Sequence, residues 1–259
     1  MNDLLGYIGL FIAAALGGGL NAIAGGGSLI AFPALVAFGV PLIPANATNS
    51  VALWPGSIGG IMGFWTEIKS QQRLLVLLLV PSLIGGLLGA FILVRTPPAV
   101  FKAVVPFLVL FATLLFAGRD WVNRFSKQRA VAGPGEEHIG LVGGVWGTLF
   151  QIAIATYGGF FGAGQSIMMM ASFSLMGMRD IHKINGIKTA LALAINGIAI
   201  VVFALQGLVR WDLGILMGVG GLIGGYVVAR LSKRIEQRYL RLFVIVVGLV
   251  VSVWLFVKP

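Results

Sequence analysis

The sequence contains no cysteine and few charged side chains. Without cysteine, disulfides and thiolate metal sites are excluded. Aspartate and glutamate together number 8 and histidine 2 in 259 residues, which leaves little from which to build a metal cage or a hydrolytic site. We therefore expect neither an enzyme nor a bound metal or cofactor. Charged residues make up only 10% of the chain, whereas soluble domains carry about 25%.

Apolar residues are what the chain has in abundance, at 58% of the sequence. Such a chain cannot cover itself for water, so the composition indicates an all-α polytopic membrane protein whose surroundings are the lipid bilayer. The formal charge of +10 could suggest a nucleic-acid partner. However, the basic residues fall in the short gaps between apolar runs, where membrane topology already explains them. We therefore predict no nucleic-acid partner.

Ten apolar segments divide the sequence. A helix that spans the membrane needs about 20 residues. The eight runs that meet this length are 4–24, 45–65, 73–94, 98–118, 139–160, 186–208, 211–230 and 239–257. Two shorter runs, 27–39 and 164–177, each follow a glycine cluster and predict short broken helices. Whether these two cross the membrane or re-enter on the same side stays open, although crossing or near-crossing fits the charges better.

The sequence matches itself at three places, in the same order in both halves. The matches are Gly25–Ser28 with Gly162–Gln165, Ala45–Ser50 with Ile184–Thr189, and Gly85–Arg95 with Gly220–Arg230, at offsets of 137, 139 and 135 residues. Internal repeats in membrane proteins are typical of transporters, which bind substrate between the repeats. The sequence thus predicts a first repeat at 1–118, a cytoplasmic linker at 119–137 and a second repeat at 138–259.

Five segments per repeat require the second repeat to enter the membrane from the opposite face. With ten crossings and both termini outside, 13 basic residues fall in inside loops and 4 outside, with Lys188 set aside. The positive-inside rule supports this orientation. Arg95 and Arg230 occupy matched positions yet lie on opposite faces, as inverted-topology repeats require. The predicted fold class is therefore two inverted repeats of about five segments each.

Lys188 lies within an apolar segment. If its helix begins near Asp180 at the cytoplasmic surface, Lys188 is about 12 Å deep, close to the middle of a core about 30 Å thick. An ammonium there costs about 2.5–3.5 kcal/mol, so it indicates function by default. The alternative is a lysine that snorkels to the headgroups because the helix begins later.

Polar residues at matched positions surround this lysine in the sequence. Asn46 matches Asn185, Asn49 matches Lys188, and Thr189 adds a hydroxyl. Inverted repeats would bring these clusters together near the midplane, although such residues also serve as hydrogen-bonding contacts between membrane helices. Ser28 and Gln165, with Gly27 and Gly164 before them, begin the short helices, whose free N–H groups favour an anion.

The other polar and glycine residues of the spans are interpreted as structural. Gly85, Gly86, Gly89, Gly220, Gly221, Gly224 and Gly225 fit close helix packing. Asn21, Gln151, Thr156, Tyr157 and Asn196 lie singly in apolar runs. No aspartate or glutamate lies deep in any span, whereas cation carriers usually need a buried acid. The pattern therefore favours a small anionic substrate.

The motifs resemble those of the TauE/SafE sulfite exporter family, also called toluene-sulfonate uptake permeases. The matching residues are Gly25-Gly26-Gly27-Ser28, Pro33, Pro44-Ala45-Asn46-Ala47-Thr48-Asn49-Ser50, Gly162-Ala163-Gly164 and Ile184-Asn185-Gly186-Ile187-Lys188-Thr189. The resemblance covers both halves and leaves out only the linker. It implies an integral membrane carrier for sulfite, sulfonates or related sulfur anions. The residues by themselves specify only a small anion.

Together these features predict a secondary transporter that exports sulfite or an organosulfonate by alternating access. It would lie in the cell inner membrane as a multi-pass protein with both termini in the periplasm. Lys188 would supply the counter-charge, and Asn46, Asn49, Asn185 and Thr189 would donate hydrogen bonds. An anion channel and an uptake permease for another small anion remain alternatives, and a homo-oligomer stays open.

Overall fold

The computed structural model describes residues 2–23, 25–131, 144–178, 180–231 and 237–257, and these residues form helices joined by short turns. The helices, in chain order, are α1 (Asn2–Ile23), α2 (Ser28–Ala37), α3 (Leu42–Gly63), α4 (Trp65–Ser70), α5 (Gln72–Arg95), α6 (Pro98–Val131), α7 (Val145–Phe160), α8 (Gln165–Leu175), α9 (Ile181–Leu205), α10 (Trp211–Leu231) and α11 (Gln237–Val257). The prediction of an all-helical chain is confirmed.

Each predicted segment corresponds to a helix. The two short runs are α2, with 10 residues, and α8, with 11. Among the described residues, four helical segments are long and apolar enough to cross a bilayer: Leu4–Asn21, Gln72–Arg95, Pro98–Gly118 and Ile181–Leu205. The protein therefore has several candidate membrane spans, and the ten-crossing topology stays a prediction.

Two features of the chain differ from what its composition suggests. The helix α6 continues to Val131, so residues 119–131 of the predicted linker are helical, while 132–137 lie outside the described residues. The short helix α4 follows α3 immediately and carries the polar residues Glu67, Lys69 and Ser70. Hydropathy predicts only apolar helices, so it does not predict helical turns made of polar residues.

The helices pack in pairs that correspond between the halves. The most extensive contacts join α1 to α10 and α5 to α7. The next join α3 to α10 and α5 to α9, while α6 packs on α11 and α3 on α9. Suppose that α1 is matched with α7, α3 with α9, α5 with α10 and α6 with α11. Each of these contacts then either becomes another contact of the set or stays the same. This is the packing that a two-fold relation between the halves would produce.

Glycines make the closest helix contacts, as the sequence predicts. A Cβ atom on Gly89 would collide with the Thr156 carbonyl oxygen, and one on Gly224 would collide with that of Ala15. On Gly85 it would lie 2.5 Å from the carbonyl oxygen of Ile152. These glycines therefore let backbone approach backbone, both where α5 meets α7 and where α10 meets α1.

Matched turns precede the short helices. Gly25 has φ +79° and Gly162 φ +81°, a left-handed conformation that glycine adopts without steric cost. The amide of Gly25 donates to the Leu20 carbonyl at 3.1 Å, and that of Gly162 to the Tyr157 carbonyl at 3.3 Å. In both halves the turn reverses the chain and starts a short helix three residues later.

Asp180 begins α9, where the depth argument for Lys188 places the start of its helix. Its Oδ1 accepts hydrogen bonds from the backbone N–H of His182 at 2.9 Å and of Lys183 at 3.4 Å. The chain therefore enters a helix at 181, and the exposed His182 lies in its first turn. The snorkelling alternative requires a helix that begins later, whereas α9 begins at 181.

We expect Asp180→Ala to lower the free energy of unfolding by about 1 kcal/mol, because two N–H groups lose their acceptor. Asp180→Asn keeps a capping oxygen and serves as the matched control. The measurement is the melting temperature of both purified variants. Equal melting temperatures for the alanine variant and the unsubstituted protein would contradict a stabilising role for this cap.

Candidate functional site

A cavity of about 120 Å³ lies where α3 crosses α9, beside the turns that precede α2 and α8. Liquid water occupies about 30 Å³ per molecule, so this volume suits a ligand of a few heavy atoms. Six of the nine predicted site residues line the cavity: Ser28, Asn49, Gln165, Asn185, Lys188 and Thr189. The fold thus brings together residues that lie up to 161 positions apart in the sequence.

Lys188 is the basic residue among the described residues that line the cavity, and it is only 9% exposed. It lies eight residues after Asp180, about 12 Å along the helix. The described residues that line the cavity include no carboxylate. An ammonium group in such surroundings favours a negative ligand, because Coulomb attraction is much stronger inside a protein than in water.

Asn49 and Gln165 supply amide groups to the wall. The Asn49 Nδ2 donates to Ser28 Oγ at 3.2 Å, which joins α3 to the start of α2. Asn49 is 2% exposed and Gln165 3%. Asn49 Oδ1 and Gln165 Oε1 accept no hydrogen bond within the described part of the chain. Buried acceptors without a donor are costly, so this wall is suited to water or to a ligand that completes its hydrogen bonds.

The hydroxyl of Thr189 lines the cavity but donates inward. Thr189 Oγ1 donates to the Asn185 carbonyl at 2.7 Å, and at the matched position Ser50 Oγ donates to the Asn46 carbonyl at 3.1 Å. Each hydroxyl hydrogen is thus used within its own helix. As placed here, Thr189 can accept a hydrogen bond from a ligand, and it could donate one only after rotation about χ1.

The remaining three predicted residues lie outside the cavity wall. The Asn46 Nδ2 donates to the Phe160 carbonyl at 2.9 Å, and Asn46 is 1% exposed. A Cβ atom on Gly27 would collide with the Gly17 carbonyl oxygen, so this glycine permits contact between α1 and the start of α2. Gly164 precedes α8 with φ +84° and packs against α6. A Cβ atom added to Gly164 would lie 3.5 Å from Ala112 Cα.

Comparison with known proteins identifies the type of molecule. The family model described as "Sulfite exporter TauE/SafE" matches residues 10–255. The chain belongs to the TauE/SafE family.

Curated relatives of this TauE/SafE protein match along nearly its whole length. It is 26% identical over 252 residues to "Probable membrane transporter protein ORF9" of Sinorhizobium sp, covering 96% of this chain and 92% of the relative. It is 29% identical over 247 residues to "Probable membrane transporter protein YfcA" of Escherichia coli strain K12, covering 94% and 87%. No solved structure matches the chain. The protein is a multi-pass membrane protein of a transporter family and not an enzyme.

Further polar residues line the TauE/SafE cavity. They are Asn21 and Asn196, which the sequence analysis interpreted as structural, and Ser57 and Ser166, which it did not single out. Of the other residues interpreted as structural, Gln151 donates to Ser82 Oγ at 2.8 Å. Helical periodicity could have predicted Ser57 and Asn196 as lining residues. Ser57 lies eight residues, about two turns, after Asn49 on α3, and Asn196 lies eight residues after Lys188 on α9.

A tryptophan fixes the crossing of α3 and α9. Trp54 Nε1 donates to the Leu193 carbonyl at 3.1 Å, and these two residues are matched at the offset of 139. A contact between matched positions is expected on a two-fold axis. The cavity lies beside this contact, since Trp54 and Leu53 line it together with Ala192.

Proposed function

We propose that this TauE/SafE family protein is a secondary transporter that exports a small sulfur-containing oxyanion, sulfite or an organosulfonate, by alternating access. The observation that carries the proposal is the position of Lys188, buried in a cavity lined by amide and hydroxyl side chains from both halves. The cavity supplies the preference for a small anion. The family supplies the preference for sulfur.

Two inverted repeats are part of the proposal. Matching helices begin at the same offset as the sequence motifs: α2 and α8 differ by 137 residues, and α3 and α9 by 139. The exchange of helix contacts between the halves supports the same relation. With both termini in the periplasm, the ends of α3 and α6 and the start of α9 face the cytoplasm, where the basic loops belong.

The anion would bind against the Lys188 ammonium. The amide NH₂ groups of Asn185 and Gln165 would donate hydrogen bonds to its oxygens, and the N-terminal turns of α2 and α8 would add a favourable dipole. Because a positive charge inside a membrane protein is costly, an anion bound against the Lys188 ammonium stabilises the loaded site. Rocking of the two halves would then expose the same site to each face in turn.

An anion channel of the same architecture is the competing function. A channel must offer a continuous path, whereas buried residues such as Phe203 and Asn46 lie beyond one end of this cavity. An uptake permease would use the same site in the opposite direction. A cavity that is closed at one end favours a carrier.

A panel of anions applied to the purified protein tests the substrate class. We expect sulfite, thiosulfate or taurine to raise the melting temperature, because a ligand at 100 times its Kd stabilises the folded state by about 2.7 kcal/mol. Sulfate and acetate are the comparison anions. Stabilisation by acetate and by no sulfur anion would refute the substrate proposal.

Flux into proteoliposomes tests the transport mode. A carrier predicts a rate that saturates with anion concentration, because each cycle moves one bound substrate through a conformational change. A rate that rises linearly with concentration would instead identify a channel.

A further inference from the structure

The centre of the cavity is built from matched residues of the two halves. Both members of six pairs line it: Gly25 and Gly162, Ser28 and Gln165, Asn49 and Lys188, Ser50 and Thr189, Leu53 and Ala192, and Ser57 and Asn196. A site made of matched pairs lies where the two halves meet.

The walls beyond this centre are unequal. Gly60, Phe64 and Asn185 line the cavity. Their matched partners are Ala199, Phe203 and Asn46, which are buried at 1%, 0% and 1% exposure and do not line it. In each of these three pairs, one residue lines the cavity and its partner is buried away from it.

The three lining residues and their three buried partners lie at opposite ends of the crossing between α3 and α9. The helices α3 and α9 run antiparallel, since Trp54 bonds to Leu193 and a Cβ atom on Gly60 would lie 3.0 Å from the Thr189 methyl group. Gly60, Phe64 and Asn185 therefore lie towards the end where α3 finishes and α9 begins. Their partners lie towards the opposite end. The cavity thus extends to one end of the crossing and is closed at the other.

A hydrogen bond marks the closed end. Asn46 Nδ2 donates to the Phe160 carbonyl at 2.9 Å, which ties α3 to the last turn of α7. Among the described residues, no corresponding bond joins Asn185 to α1, the helix that matches α7. Within the described part of the chain, the closed end therefore has an asparagine bond to which no bond of Asn185 corresponds at the open end.

We propose that Phe64 with Asn185 and Phe203 with Asn46 form two alternating gates, the first open and the second closed in this structure. This inference rests on the proposed carrier function. In the opposite state the halves exchange conformations, so that Asn46 leaves Phe160 and turns to the substrate. Asn185 then binds a carbonyl near the end of α1, and Phe64 packs as Phe203 does here. Asn46 and Asn185 thus act as substrate ligands in turn, one in each state.

Thiol labelling tests the gates directly, because the natural chain has no cysteine. Phe64→Cys and Phe203→Cys are matched single variants, labelled in detergent with a small maleimide and no added anion. A minor state is populated at about 10% or less, so we expect Phe64→Cys to react about tenfold or more faster. Gly60→Cys and Ala199→Cys form a second matched pair that decides the question if Phe203→Cys does not fold.

The tie at the closed end gives a second measurement. Asn46→Ala removes a hydrogen bond that exists only in this state, and a typical one is worth about a fivefold change in population. We therefore expect Asn46→Ala to raise the labelling rate of Phe203→Cys, or of Ala199→Cys, about fivefold. Asn185→Ala is the control, and it should leave that rate unchanged or lower it.

Equal labelling of the matched cysteines, or no effect of Asn46→Ala, would overturn the gate proposal. These rates do not depend on which anion is moved. Unequal labelling in a protein that no sulfur anion stabilises would therefore support the gates and refute the proposed substrate.

Discussion

Lys188→Met is expected to lower anion flux in proteoliposomes by at least about thirtyfold at subsaturating substrate. Removing one partner of a buried charge pair costs about 2–5 kcal/mol, and Lys188 is the cation among the described residues that line the cavity. Methionine retains most of the apolar length of lysine, so the variant removes charge with little loss of volume. The measurement is the initial rate of flux against anion concentration.

The stability of the same variant separates function from folding. Lys188→Met should still melt cooperatively without anion, which shows that it folds, while the stabilisation by anion disappears. Lys102→Met is the matched control, since Lys102 is exposed on α6 and outside the cavity. Unimpaired flux in a folded Lys188→Met protein would refute the role of this lysine.

The helices and half of the site could be predicted from the sequence because both depend on local patterns. Apolar runs of sufficient length predicted eight of the helices, and shorter apolar runs after glycine clusters predicted the two short ones. The offset of 139 residues paired Asn49 with Lys188, and both line the cavity. The depth argument for Lys188 took a helix start near Asp180 as its condition, and Asp180 does cap α9.

The remaining site residues depend on packing that a sequence pattern does not record. Asn46 and Asn185 are equivalent in the sequence, yet one is tied to Phe160 and the other lines the cavity. The proposed pair of alternating gates accounts for this difference through the conformational state of the protein. Gly27 likewise fits an anion site by sequence, but its distance from Gly17 leaves no room for a side chain.

Gly224→Ala is expected to lower the free energy of unfolding by about 1–3 kcal/mol, the cost of overpacking a close contact. The added Cβ would collide with the Ala15 carbonyl oxygen, so α10 would have to move away from α1. This contact is among the most extensive in the protein, and the strain therefore cannot be relieved by one side chain. The measurement is the melting temperature in a fixed detergent.

Gly218→Ala is the matched control, because it makes the same substitution in the same helix. Its nearest neighbour for an added Cβ is Pro55 Cγ at 3.8 Å, an ordinary contact. Alanine is the better helix former by about 0.5–1 kcal/mol, so this variant should melt no lower than the natural protein.

Gly89→Ala, at the position matched to Gly224, should lower the melting temperature as Gly224→Ala does, since the Thr156 carbonyl oxygen lies where that of Ala15 lies. The melting temperatures of Gly224→Ala and Gly89→Ala should therefore lie close together and below that of Gly218→Ala. A large difference between the two would show that the two halves do not share one mode of packing.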